Sequence, residues 1–168
     1  IAFSLANGDL FKVTLSGGGL TKLVSGDEVQ AFIPHWGEND LISFTGPQGI
    51  WVASANSGAS EDLVQVAPLG SFDNFVLPDG LGVLSGGTGG AQGIYYHPVG
   101  PDSSRLLLPS GINPAYYEGH IVYTSDDGGL FAVPFDLSSV EVTGTPVRLL
   151  DGLDVGPGRF HISNSGAL

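Results

Sequence analysis

An aliphatic residue followed by an aromatic one, each time just after a glycine-containing turn, recurs four times along this chain: Leu10-Phe11, Ile50-Trp51, Ile94-Tyr95 and Leu130-Phe131. The aromatic returns at intervals of roughly 36 to 44 residues. A period of that size marks one supersecondary unit repeated, each copy unable to bury its own faces and dependent on its neighbours. The last unit shows what a copy contains. From His120 to Leu168 four β-type runs can be cut, His120–Thr124, Leu130–Phe135, Pro146–Leu150 and Arg159–Ser163. Asp126-Asp127-Gly128-Gly129, a longer Leu137–Thr145 connection and Asp151-Gly152 separate them. Short runs rich in Val, Ile, Phe and Tyr between Asp, Asn and Gly read as strands joined by hairpins.

The same plan divides the whole chain into rounds at 1–40, 41–80, 81–119 and 120–166, forming a single domain over 1–168. Each round is expected to be one four-stranded antiparallel sheet. Its inner strand opens the round: Ile1–Leu5, Leu41–Thr45, Leu81–Leu84 and His120–Thr124. The third strands align as Lys22-Leu23-Val24, Asp62-Leu63-Val64, Arg105-Leu106-Leu107 and Arg148-Leu149-Leu150. Rounds close on Asn39-Asp40, Asp79-Gly80, Glu118-Gly119 and Ser165-Gly166. The row of aromatics is expected to form core between stacked sheets, and the run from Ser85 to Gly93 a glycine-rich turn. No stretch shows apolar residues at helical spacing. The fold class is therefore all-β, a β-propeller of four-stranded blades with about four blades in this chain.

Composition narrows the partners. Net charge is −12, with 17 acids against Lys12, Lys22, Arg105, Arg148 and Arg159. A phosphate backbone needs clustered Lys and Arg to displace its counterions, and these five are scattered. Nucleic acid is disfavoured as a partner, as are anionic membrane surfaces. No apolar run approaches the ~18–20 residues of a spanning helix, so membrane insertion is not expected. Cysteine is absent, which excludes disulfides, thiolate metal sites and cysteine nucleophiles. The compartment is left open. The chain opens inside a strand at Ile1-Ala2-Phe3 with no initiator Met, and reads as a piece of a longer protein that would carry further blades.

The rounds resemble the WD-like propeller repeats of the TolB-like group. Pro78-Asp79-Gly80 is similar to that group's strand-linking turn, and Gly8-Asp9-Leu10-Phe11-Lys12-Val13 to its second strand. Gly129-Leu130-Phe131-Ala132-Val133-Pro134-Phe135-Asp136, followed by Glu141-Val142-Thr143-Gly144-Thr145-Pro146-Val147, resembles a blade common in bacterial proteins that join a serine/threonine kinase or a winged-helix regulator to a C-terminal propeller. The resemblance implies a propeller that binds or senses on behalf of a larger bacterial protein, and is compatible with an extracytoplasmic position. His35-Trp36-Gly37-Glu38-Asn39-Asp40 and Tyr116-Tyr117-Glu118-Gly119 depart from the family's turn, so no particular ligand site is carried over. The kinase's own catalytic motifs do not occur in this chain.

The residues themselves offer little chemistry. His35, His97, His120 and His161 fall at no metal-ligand spacing, with His35 and His161 near the fourth strand of their rounds, His97 at the end of a second and His120 at the start of a first. Asp126-Asp127-Gly128 lacks the ligand spacing of a calcium loop and reads as a turn. The run Ser85-Gly86-Gly87-Thr88-Gly89-Gly90 has neither the Lys nor the helix of a phosphate cradle. No Gly-x-Ser-x-Gly elbow is present. His161 and Ser163 share a strand face but have no acid partner in view. Paired carboxylates could come from Glu38, Asp79, Glu118 and Asp102. Glu38, Asp79 and Glu118 sit at one phase of the repeat and are the candidate rim of a channel, set against their reading as turn formers. No metal or cofactor is expected.

The leading expectation is a non-catalytic module that binds a protein, a peptide or another ligand. The alternative is the propeller portion of a peptidase, lyase or glycosidase with its site at the channel mouth. A third reading is a purely structural scaffold. An arc of four blades would expose apolar end faces, and association of two chains into a homodimer that completes a ring is expected.

Overall fold

The computed structural model describes residues 1–56, 63–67, 71–87, 92–153, 160 and 162. Strands dominate, and the one helical element among these residues is a 3-10 turn at Pro78–Gly80. The expected strand at Arg159–Ser163 lies outside the described residues, apart from Phe160 and Ile162. Four antiparallel sheets follow one another along the chain. The first has three strands, β1 (Ala2–Ser4), β2 (Leu10–Lys12) and β3 (Thr21–Val24). The second is β4 (Phe32–Trp36), β5 (Leu41–Gly46), β6 (Gly49–Ser54) and β7 (Val64–Ala67). The third is β8 (Ser71–Val76), β9 (Gly82–Gly87), β10 (Gly93–Pro98) and β11 (Arg105–Leu108). The fourth has β12 (Ile112–Tyr117), β13 (His120–Thr124) and β14 (Leu130–Asp136), with β15 (Glu141–Val142) and β16 (Val147–Leu150) both paired to β14.

The last three sheets begin one strand earlier than the rounds. The turns at Asn39-Asp40, Pro78–Gly80 and Glu118-Gly119 do not separate sheets; they join hydrogen-bonded neighbours, β4 to β5, β8 to β9 and β12 to β13. Backbone geometry explains this. Asp40, Gly80, Glu118 and Gly119 all hold positive φ, as tight hairpin turns require. The strand that each of the last three sheets lays against the preceding sheet is thus β4, β8 or β12, not the one that opens each round. β4 packs on β1, β8 on β5 and β12 on β9, while β4, β8 and β12 lie side by side.

One irregularity repeats in all four sheets. The register shifts at Leu10/Phe11, Ile50/Trp51, Ile94/Tyr95 and Leu130/Phe131, the recurring aliphatic–aromatic pair. A bulge re-aims side chains, so the two members of the pair meet different surroundings. Leu10, Ile50, Ile94 and Leu130 are fully buried, and the aromatic beside each is only half-buried. The deepest core is therefore the aliphatic row rather than the aromatic one. Register also corrects the third strands. Phe11 faces Lys22, Trp51 faces Gln65, Tyr95 faces Leu106 and Phe131 faces Arg148. The sequence alignment slipped in the middle two rounds because no basic residue marks that position there.

Three apolar clusters fill the spaces between successive sheets. Leu10, Val24, Ile42 and Phe44 join the first to the second. Ile50, Val52, Ala67 and Val83 join the second to the third. Leu84, Ile94, Ile121 and Val133 join the third to the fourth. Each fully buried aliphatic side chain stabilises by about 1.5–3 kcal/mol relative to exposure. Ser85, Gly86 and Gly87 are strand residues of β9, not a turn, with Gly87 opposite Gly93. A Cβ on Gly86 would stand 2.8 Å from the Ile112 Cα. Glycine is needed there because β12 crosses directly over β9.

Candidate functional site

The three neighbouring strands β4, β8 and β12 are laced together by buried polar side chains. Asn74 on β8 donates to the Ile33 carbonyl at 3.1 Å and to Thr45 Oγ1 at 3.3 Å, and its amide oxygen accepts from Ser43 Oγ. Asp73, one residue earlier, accepts from the Asn113 backbone N–H at 3.2 Å. The Asn113 amide donates to Thr124 Oγ1 at 3.0 Å. One side chain of β8 thus ties the second sheet and the next ties the fourth. Buried polar groups must find partners, and these fix the relative positions of three sheets. Ile33 and Asn113 both hold positive φ immediately before a proline, at matching bulges of β4 and β12. Proline removes a ladder donor and is tolerated at such bulges.

Where these strands run into their turns they enclose a cleft of about 580 Å³. Its walls include Trp36, Phe75, Tyr116 and Tyr117, and Glu38 and Glu118 line it as well. The His35 ring lies 4.3 Å from the Phe75 ring, and its Nδ1 accepts the Val76 N–H at 3.1 Å. An Nδ1 that accepts is unprotonated, so the neutral ring carries its proton on Nε2. The Tyr117 hydroxyl is held above the usual tyrosine range, first by burial and then by the charge and hydrogen bond of Glu118. A smaller recess adjoins the cleft and shares His35, Phe75 and Ile162 with it. Asp73, Asn74, Asn113 and Phe160 line this recess.

Of the rim candidates, Glu38 and Glu118 are exposed and line this one cleft. Asp79 falls in the 3-10 turn beside Pro78, which also lines the cleft; its side chain lies outside the described residues. Asp102 is exposed elsewhere. The described histidines do not converge. His97 is buried, His120 is exposed with Nδ1 2.9 Å from the Glu118 carbonyl, and His161 lies outside the described residues, as does Ser163. No group of three His, Asp or Glu residues suited to a metal occurs among the described residues. Asp127 accepts from Ser125 Oγ, from the Gly129 N–H and from Arg148, as a turn residue does.

A histidine–serine contact does occur, at a place the sequence did not suggest. His97 Nε2 is 2.7 Å from Ser85 Oγ, and its Nδ1 is 2.7 Å from Ser104 Oγ. Ser85 is fully buried and His97 only 2% exposed, so no substrate reaches the pair. Burial pushes the His97 pKa down to about 4. The pair is internal bracing.

Sequence reasoning missed the aromatic wall and the polar lacing. A signal for the wall was present: Trp36 and Tyr116 stand two residues before Glu38 and Glu118. No family model, curated protein or solved structure matches this chain.

Proposed function

We propose that this chain is a non-catalytic β-propeller module, WD-like in its repeat, that binds an extended protein or peptide segment in the cleft between β4, β8 and β12. The carrying observation is the cleft itself: three matching strands of three sheets deliver Trp36, Phe75 and Tyr116 to one opening of about 580 Å³. Clefts of ~300–1,000 Å³ with aromatic walls and a few placed polar groups are the usual form of a binding site. The propeller reading is supported by the bulge that recurs at the same pair in every sheet, and by the successive packing of β4 on β1, β8 on β5 and β12 on β9. Association of two chains belongs to the same reading. It is supported by the exposed Val147, Leu149 and Leu150 of β16, and light scattering at rising concentration tests it.

Trp36 and Trp51 are the two tryptophans, which makes the binding test direct. Trp51 has a buried Nε1–H with no hydrogen-bond partner among the described residues, so Trp51→Phe should be tolerated. That variant leaves Trp36 as the only indole reporter. A random-sequence peptide array is probed with the labelled chain, and hits are titrated against the variant. Hits should shift Trp36 emission, and Tyr116→Ala should weaken them. Hits that bind without changing Trp36 emission, or an array without hits, overturn the proposal.

A further inference from the structure

We infer that the group recognised in the cleft is a cation, the guanidinium or ammonium of an Arg or Lys side chain presented by a peptide. The inference rests on the binding reading above and adds the chemistry of the ligand. It begins from charge bookkeeping inside the molecule. Glu38 and Glu118 line the cleft, and Asp73 lines the recess that opens from it. Among the described residues, no Lys or Arg lines either space. The described cations are all engaged elsewhere. Lys22 pairs with Asp9 at 2.7 Å and lies over Phe11. Arg148 pairs with Asp127 and Asp151 and lies over Phe131. Arg105 lies over Tyr96 and reaches the Val140 carbonyl at 3.2 Å. Lys12 donates to the Ala55 carbonyl.

The walls favour the same ligand. A cation over the face of Trp or Tyr is attracted by the ring quadrupole, by about 0.5–2 kcal/mol depending on desolvation. This chain already uses that contact three times internally, always with a carboxylate or carbonyl completing the cation's coordination. The cleft is lined by the same two elements, aromatic rings and carboxylates, with no Lys or Arg among its described residues. Its aromatic faces come from Trp36, Tyr116 and Tyr117. A long basic side chain suits the shape, since the recess adjoins the cleft and has Asp73 among its lining residues.

The test uses a hexapeptide with one central Arg in a Gly/Ser background, and the same peptide with citrulline or Glu in place of Arg. Citrulline keeps the shape and removes the charge. The Arg peptide should shift Trp36 emission in the Trp51→Phe protein, more weakly as salt rises. Adding Glu38→Gln and Glu118→Gln should lower affinity by about tenfold or more, the scale of one lost charge contact. Asp27→Asn with Glu28→Gln removes the same net charge away from the cleft and should leave affinity unchanged. Equal binding of the citrulline peptide at Trp36 overturns the cation inference while the cleft reading stands. Equal loss in the two double variants shows that overall charge alone attracts the peptide, and also overturns it. The binding reading itself fails by the separate route of an array without hits at Trp36.

Discussion

The two ends of the sheets are both acidic, yet they use their acids in opposite ways. In the β1–β2 turn, Asp9 accepts from the Gly26 N–H at 2.8 Å, from Lys22 at 2.7 Å and from the Asn7 amide at 3.0 Å. Those bonds hold its carboxyl down at about 2. In the β13–β14 turn, the Ser125, Arg148 and Gly129 contacts hold Asp127 below the usual carboxylate range. At the opposite end, in the β4–β5 and β12–β13 turns, Glu38 and Glu118 are exposed and make no ion pair among the described residues. The difference lies in the third strand. Lys22 and Arg148, each held across an aromatic ring, reach the first pair of turns and not the second. An acid in a turn is thus structural when a cation from its own sheet closes on it. Where none does, the acid stays exposed.

Acid separates the two uses most strongly, through a third group. His97 is buried, and its pKa falls from 6.5 to about 4. Between those values the unfolded chain binds a proton that the folded chain refuses. Stability is therefore full above about pH 6.5 and declines as pH falls towards 4, by about 3 kcal/mol in all. Denaturant midpoints taken from pH 8 to 3 should show this decline, and His97→Gln should flatten it. A wild-type profile level between pH 6.5 and 4 would break the argument. Asp9 acts in a lower window. Its depressed pKa contributes stability that is present above the ordinary value of 3.8 and lost as pH falls to about 2.

The recess beside the cleft should be the next most sensitive place. Asn74→Ala removes the hydrogen bonds to the Ile33 carbonyl and Thr45 Oγ1 and takes from the buried Ser43 hydroxyl its acceptor. A loss of about 2 kcal/mol is expected, the usual result of orphaning buried polar groups. Because Asn74 also lines the recess, the variant should lose peptide response at Trp36 together with stability. A stable variant with unchanged response would show that the lacing is incidental.

Much of the fold could be read from residue patterns because period and turn chemistry are local. Leu10-Phe11 and its three counterparts mark a real structural unit, down to the bulge between the two residues. Pairing between sheets is not local. The Asn39-Asp40 and Glu118-Gly119 turns look alike whether they close a sheet or a hairpin, and only the backbone partners of β4 and β12 decide. The site was half legible for the same reason. Glu38 and Glu118 share a repeat phase that the sequence displays. Asp73, Asn74 and Asn113 carry no such mark, because their roles depend on which strand lies alongside.

The smallest expected effects sharpen the comparison furthest, because they contrast two removals of negative charge. Asp9→Asn keeps the side chain's shape but gives up the ion pair with Lys22 and puts an amide where the Gly26 N–H, Lys22 and Asn7 all donate. Stability at neutral pH should fall, and the loss should close as pH drops through the Asp9 window, where the wild-type carboxylate is itself neutralised. Glu38→Gln with Glu118→Gln removes twice the charge from a protein whose net charge is −12. It should change stability by no more than about 0.5 kcal/mol, as surface substitutions without engaged partners do. Relief of like-charge repulsion at the cleft could even make the change favourable. Chemical denaturation of the two proteins side by side decides. If the double variant is destabilised as much as Asp9→Asn, Glu38 and Glu118 are structural acids, and the distinction between the two ends of the sheets is lost.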